Sequence, residues 1–281
     1  MLPWRRRHRW TDRNHDAMTK AGRPMSASVS LASVGKTFAP GARPVLDNIN
    51  LEVHPGETVT VIGPSGSGKS TLLNCIAGME PYSGAIVIDG VPVRKPRRNV
   101  AMVFQAPHLL PWRTTVGNIA YGMQLQGNLT KEDQRSRVEE LLDLVRLRHA
   151  RDRYPAQLSG GMRQRVNIAR ALAVRPSVLL MDEPFGALDS QTRLLLQELF
   201  LTVWESTRKT VLFVTHDLHE AIFLSDIVIV FTNRPGRVKS VIPIDLPRPR
   251  LPPAELATAT EFRDIYARIW SDLRDEVRVF E

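Results

Sequence analysis

The sequence predicts an α/β fold built around a mainly parallel sheet, and three observations carry that prediction. The apolar run Val59–Ile62 leads directly into Gly63-Pro-Ser-Gly-Ser-Gly-Lys-Ser70 and then into the helical stretch Thr71–Ala77, a strand, a glycine loop and a helix in succession. Val178–Met181, Val211–Thr215 and Ile227–Phe231 are apolar on both faces, as strands are when helices cover a sheet from both sides. Helical patterns near residues 163–174 and 190–208 alternate with those strands, which is the order of a β/α layered domain.

The remaining elements follow in order. Short β-rich runs at Ser28–Val34, Ile49–Val53, Thr58–Ile62, Ala85–Ile88 and Val100–Phe104 are separated by turn pairs such as Pro55-Gly56 and Asp89-Gly90. Residues 130–150 read as a helix, with Thr130 as cap, Asp133 three later, and apolar residues recurring at Val138, Leu141, Leu142 and Val145. After Ile244 a proline cluster (Pro243, Pro247, Pro249, Pro252, Pro253) is expected to form a stiff linker. It leads to an amphipathic segment with Phe262, Ile265, Ile269, Trp270, Leu273 and Val277 on one face.

Composition bounds the function. The chain of 281 residues is 43% hydrophobic and 24% charged, which fits a globular protein with a sizeable core. Its longest unbroken apolar stretch is about five residues (Ile227–Phe231), far short of a membrane span. The single cysteine excludes an internal disulfide framework and a multi-cysteine zinc site, and fits a reducing compartment. The net charge of +9 invites a nucleic-acid or anionic-membrane reading, but residues 1–24 alone contribute +5 of it. That start has no apolar segment behind it and is not a secretory signal. Three readings stand for it: a solvated tail, a start assigned upstream of Met18 or Met25, or a nucleic-acid or lipid-binding arm.

The glycine loop carries the strongest chemistry. Gly63, Pro64, Ser65, Gly66, Ser67, Gly68, Lys69, Ser70 and Thr71 match the nucleotide-phosphate loop in its required strand–loop–helix setting. The glycines let successive backbone N–H groups face the phosphates, and the helix N-terminus adds partial positive charge. Lys69 supplies a cation, and the Ser70 hydroxyl can ligate Mg²⁺ beside ATP. The fold class is therefore a P-loop NTPase. Downstream, the strand Val178–Met181 ends in Asp182 and Glu183. Strand alternation sends adjacent side chains to opposite faces, so the two acids take different tasks: Asp182 holds Mg²⁺ and Glu183 polarises the attacking water.

Leu158-Ser159-Gly160-Gly161-Met162-Arg163-Gln164-Arg165 reads locally as a glycine turn, capped by Ser159, that opens a basic helix. It resembles the signature sequence of the ATP-binding-cassette ATPases, with Met162 in place of the commoner glutamine. Other positions match that family in order over about residues 28–240. Phe38 resembles the aromatic that stacks on adenine, and Gln105 the glutamine that ligates Mg²⁺ and senses the nucleotide. Ala187-Leu188-Asp189 resembles the D-loop, and His216 the switch histidine that contacts the γ-phosphate. Leu109-Leu110-Pro111-Trp112, Asp182–Asp189 and Asn233-Arg234-Pro235-Gly236-Arg237 together resemble the nitrate/sulfonate/taurine importer branch.

The resemblance implies a mainly parallel core sheet, an antiparallel β subdomain and an inserted α-helical subdomain at about residues 107–170. It divides the chain into a basic extension (1–25), a cassette (26–245) and a tail (246–281). Two cassettes pack head to tail, so that Ser159, Gly160 and Gly161 of one close on the ATP held by the other. Glu183, His216 and Lys69 are the expected catalytic residues, Asp189 belongs to the nucleotide contacts, and Ser70, Gln105 and Asp182 form the Mg²⁺ set. The implied partners are a second copy, an integral-membrane permease met through Gln105–Trp112 and, indirectly, a periplasmic or extracellular solute-binding protein, at the cytoplasmic face of the inner membrane. No nucleic acid is expected. An exporter cassette or the ATPase of a nucleic-acid-acting complex is the alternative. The long coiled coil or second cassette that repair and translation members carry is absent from this sequence.

Overall fold

A computed structural model describes residues 26–277, and the expectations for the basic extension at 1–25 lie outside it. Ten strands and eight α-helices are described. They are β1 (Val29–Lys36), β2 (Leu46–Val53), β3 (Thr58–Ile62), α1 (Lys69–Ala77), β4 (Ser83–Ile88), β5 (Val91–Pro92), β6 (Val100–Val103), α2 (Thr115–Gln126), α3 (Lys131–Leu144), α4 (Gly160–Ala173), β7 (Val178–Asp182), α5 (Ser190–Thr207), β8 (Thr210–Val214), α6 (Leu218–Leu224), β9 (Ile227–Phe231), β10 (Val238–Pro243), α7 (Pro253–Leu256) and α8 (Thr260–Val277).

Two sheets form. An antiparallel sheet runs β2-β1-β4-β5, and a larger one runs β10-β9-β3-β8-β7-β6. All pairings in the larger sheet are parallel except β10 on β9, an antiparallel edge. Period-two alternation divides the core around it. Val59, Val61, Val178, Leu180, Leu212 and Val214 face α1 and the antiparallel sheet. Leu179, Met181, Val211, Phe213, Val228 and Val230 face the layer of helices. Each fully buried aliphatic or aromatic side chain contributes roughly 1.5–3 kcal/mol, so the doubly apolar strands fix which segments lie in the middle.

Helices α2, α3 and α4 lie between β6 and β7 in the chain. The Thr130 hydroxyl accepts from the Asp133 backbone N–H at 3.1 Å, as its pattern predicts. The predicted helix over 130–150 stops early: Val145 is the C-cap of α3, and Arg148–Ala150 form a separate 3₁₀ turn. The segment from Phe104 to Leu110 is pinned to the helices by polar contacts. Arg170 donates to the carbonyls of Pro107 (2.7 Å) and His108 (2.8 Å), and Leu110 N–H donates to Asn118 (2.8 Å).

Two expectations for the tail need correction. The proline cluster, expected as a stiff linker, is a strap packed against the body of the protein. Arg248 pairs with Asp226 at 2.9 Å, stacks on Trp204 at 4.2 Å and donates to Leu224 O, while Ile244 and Leu246 are buried. Arg248 and Arg250 side chains and the Ile244 N–H, which donates to Asp226 O at 2.9 Å, tie the segment down between its prolines. Trp270 does not share the buried face of α8: it is 46% exposed, whereas Phe262, Ile269 and Leu273 are buried. The helix packs along a stripe narrower than the apolar pattern suggests, and the side chain of Val277 lies outside the described residues.

Candidate active site

The phosphate loop joins β3 to α1. Gly68 stands at the N-cap of α1 with φ +90° and gives no side-chain cap, so the first N–H groups of the helix stay available to an anion. A Cβ at Gly68 would come within 2.8 Å of Leu46 and 3.0 Å of Val45, and one at Gly63 within 3.0 Å of Phe231. The loop is also held from behind: a Cβ at Gly236 would sit 2.1 Å from the Ser67 carbonyl oxygen. Gly236 itself is fixed by Gly236 N–H to Val45 O at 2.8 Å and Asp47 N–H to Gly236 O at 3.0 Å. Lys69 is buried and donates to the carbonyls of Gly63 and Pro64, both at 2.8 Å. Burial pulls its ammonium below the usual lysine range, while Glu183 and Asp182 act the other way. The buried Ser67 hydroxyl has no hydrogen-bond partner, a loose end that a phosphate oxygen would satisfy.

The Ser70 hydroxyl donates to Asp182 at 2.9 Å. Burial pushes the Asp182 carboxyl above the usual range, Ser70 pulls it down, and Glu183 adds to the rise. A hydroxyl and a carboxylate brought together suit Mg²⁺, which takes few protein oxygens and completes its shell with water and phosphate. Among the described residues no cluster of three His, Cys, Asp or Glu could hold a metal by itself.

Three side chains meet beside this pair. Glu183 Oε2 lies 3.4 Å from Gln105 Nε2 and 3.3 Å from His216 Nδ1. The separation of the two acids does not come from strand alternation, because Glu183 stands just beyond β7 with φ +42°. Its backbone N–H is held by Val214 O at 2.9 Å. A non-glycine residue in that region costs of order 1–3 kcal/mol and persists where its surroundings enforce it.

Other predicted residues lie apart. Ser159 caps α4 by accepting from the Met162 N–H at 3.2 Å, and Asp189 caps α5 by accepting from the Thr192 N–H at 3.0 Å. These caps adjoin: a Cβ at Gly160 would lie 3.9 Å from Leu188 and one at Gly161 2.4 Å from Thr192. Among the described residues no hydrogen bond or ion pair joins Ser159, Gly160 or Gly161 to residues 63–71. Phe38 is 61% exposed, with the Lys36 ammonium 4.6 Å from its ring. The sequence reading missed Arg193, which donates to Leu188 O at 3.1 Å and pairs with Asp217 at 3.4 Å. It also missed the buried Gln197–Glu220 hydrogen bond at 2.9 Å.

Comparison with known proteins decides the family. The family model described as ABC transporter matches residues 46–186, half of the chain. The chain belongs to the ABC transporter family. As an ATP-binding cassette it is 46% identical to the aliphatic sulfonates import ATP-binding protein SsuB of Bacillus cereus over 86% of this chain and 94% of that protein. It is 47% identical to the nitrate import ATP-binding protein NrtD of Synechococcus elongatus, over 77% of this chain and 81% of that one. It is 45% identical to the taurine import ATP-binding protein TauB of Pseudomonas savastanoi, over 79% and 85%. The cassette also resembles a solved dimeric ATP-binding cassette in a post-hydrolysis state with ADP and Pi, at TM-score 0.69 and 34% identity over 78% of this chain and 99% of that one. The fold is the P-loop ATPase fold of that family.

Proposed function

We propose that this ABC cassette is the ATP-hydrolysing subunit of an importer for a small anionic or zwitterionic solute such as a sulfonate, nitrate or taurine. The observation that carries the reading is the convergence of Gln105 and His216 on one oxygen of Glu183, beside the Ser70–Asp182 pair and Lys69. Sulfonate, nitrate and taurine import proteins at 45–47% identity support the class of solute.

In this reading residues 63–71 hold the ATP phosphates and Lys69 exchanges its loop carbonyls for phosphate oxygen. Glu183 accepts a hydrogen bond from water and orients it for attack on the γ-phosphorus, and the bond to ADP breaks. His216 steadies Glu183 and meets the γ-phosphate. Ser70, Gln105 and Asp182 hold Mg²⁺, which when bound neutralises developing charge on the phosphates. Phe38 stacks on the base. Ser159, Gly160, Gly161 and Asp189 complete the site of a second copy, which accounts for their distance from the phosphate loop within one chain. The exposed Trp112 and the pinned segment from Gln105 onward meet a membrane permease at the cytoplasmic face of the inner membrane, and a solute-binding protein delivers the solute to it. No helix of the described residues is long and apolar enough to cross a membrane, which suits a peripheral subunit.

Glu183→Gln is expected to bind ATP normally, to accumulate as an ATP-bound dimer on size exclusion, and to hydrolyse at least about 10²-fold more slowly. Near-normal turnover overturns the role of Glu183. Failure of sulfonate, nitrate and taurine, each offered with permease and binding protein, to stimulate hydrolysis overturns the solute class.

A further inference from the structure

The end of the parallel sheet away from the active site carries a concavity of about 420 Å³ lined by Lys95, Arg97, Arg98 and Arg175, with Asp89 as its one carboxylate. Its floor is rigid. Asn99 O accepts from the N–H groups of Ser177 (2.9 Å) and Val178 (3.1 Å), and the Asn99 side chain donates to Ser177 Oγ at 3.1 Å. Asp89 is occupied by the Ser28 N–H at 2.9 Å, and Arg97 by the carbonyls of Ile88 and Val91 at 3.0 and 3.2 Å. Among the described residues, Lys95, Arg98 and Arg175 have no acidic partner.

Burial holds the Lys209 ammonium down to about 8, and Arg137 and Arg175 add to that depression. Helices α1 and α4 end beside this surface, at Gly78 and Val174, and their last carbonyls supply only partial negative charge. Like charges crowded around a concave surface raise the potential inside it and attract an anion. The volume lies at the small end of ligand cavities, which suits a small ligand.

We infer that this concavity binds a small phosphate-bearing anion, with Arg98 and Arg175 as its principal charge partners. The site is separate from the nucleotide site yet tied to it by two rigid elements. Strand β7 runs from beside Ser177 on the cavity floor to Asp182. Helix α1 runs from Lys69 to its C-cap Gly78, where a Cβ would meet the Lys95 carbonyl carbon at 2.4 Å.

The test uses the full chain saturated with Mg–ADP, so that the nucleotide site is filled, and measures radiolabelled pyrophosphate by equilibrium dialysis at low salt. The expected result is about one further equivalent bound, weakened at least about tenfold in Arg98→Ala/Arg175→Ala and weakened by added salt, with ADP affinity unchanged. Arg98→Glu alone, an exposed substitution, carries the same test if the double variant is unstable. No further equivalent in the unaltered protein, or equal binding by the variants, overturns the inference. A second arm assigns the source: sedimentation with phosphatidic-acid vesicles that requires Arg98 and Arg175 identifies a lipid headgroup, and pyrophosphate binding without it identifies a free ligand. Neither readout depends on hydrolysis or transport, so failure here leaves the importer reading standing.

Discussion

Glu183 and Glu220 both bear on the turn that carries His216, and they are held in opposite ways. Glu183 projects from a strained backbone into a cluster of polar groups that includes the His216 ring. Glu220 is buried, accepts from Gln197, and is pushed up to about 7 chiefly by burial, with Thr215 and Gln197 pulling it down and Asp217 adding to the rise. An acid whose folded pKa exceeds its unfolded value binds more protons when folded, so its contribution to stability is complete below about pH 4.5 and is lost as pH rises through about 7. Glu220→Gln keeps the acceptor for Gln197 and removes the titration. Its melting temperature is expected to vary less than that of the unaltered protein over this window and to be higher at about pH 8, checked by thermal unfolding across pH. An unchanged pH profile would rule out Glu220 as the titrating group.

At the scale of elements, α5 joins two functional turns. Arg193, in its first turn, donates to Leu188 O in the turn before the helix and pairs with Asp217, whose carboxylate also caps α6 by accepting from Glu220 N–H at 3.1 Å. The segment carrying Asp189 and the segment carrying His216 are therefore braced through one guanidinium. Arg193→Ala is expected to lower kcat about tenfold or more by letting His216 and Glu183 drift, since small misplacements are costly in a positioned reaction. ATP affinity should stay close to normal, because Arg193 touches no residue of the phosphate loop. Arg193→Lys, which retains the charge but not the fork, should recover part of the loss. Steady-state kinetics paired with nucleotide binding separates these outcomes. A loss of affinity with unchanged kcat would contradict the bracing role.

At the scale of the whole molecule, the signature turn and the phosphate loop share one chain but no polar contact among the described residues, and the proposed function has a second copy complete the site. Specific ATPase activity should fall on dilution of the protein, and a mixture with Ser159→Arg chains should lose activity out of proportion to their share. Activity independent of concentration, measured over a dilution series, would favour hydrolysis by single chains. Much of this layout is legible in the sequence. Ile227–Phe231 appears with its boundaries intact because an unbroken apolar run ends abruptly at polar residues, and Thr58–Ile62 because its β-branched residues stop at Gly63. Helix α2 is hidden because Gly117, Asn118 and Gly122 interrupt its apolar face, α6 has only seven residues, and β10 is an edge strand of mixed pattern. The phosphate loop, Asp182 and Glu183 are readable from local spacing, but Arg193 and the turn at Glu183 depend on neighbours far along the chain.

The Gly236 contact bears on the order in which the protein can be completed. The loop from Gly63 to Ser70 lies early in the chain, but the backbone that backs Ser67 is translated more than 160 residues later. At the usual pace of synthesis that is a delay of roughly 10–30 s. A nascent cassette therefore carries its phosphate loop against Val45 and Leu46 alone until β9 and the turn after it, with Phe231 and Gly236, have emerged. The contact that backs the loop at Ser67 is thus among the later ones to form as the chain emerges.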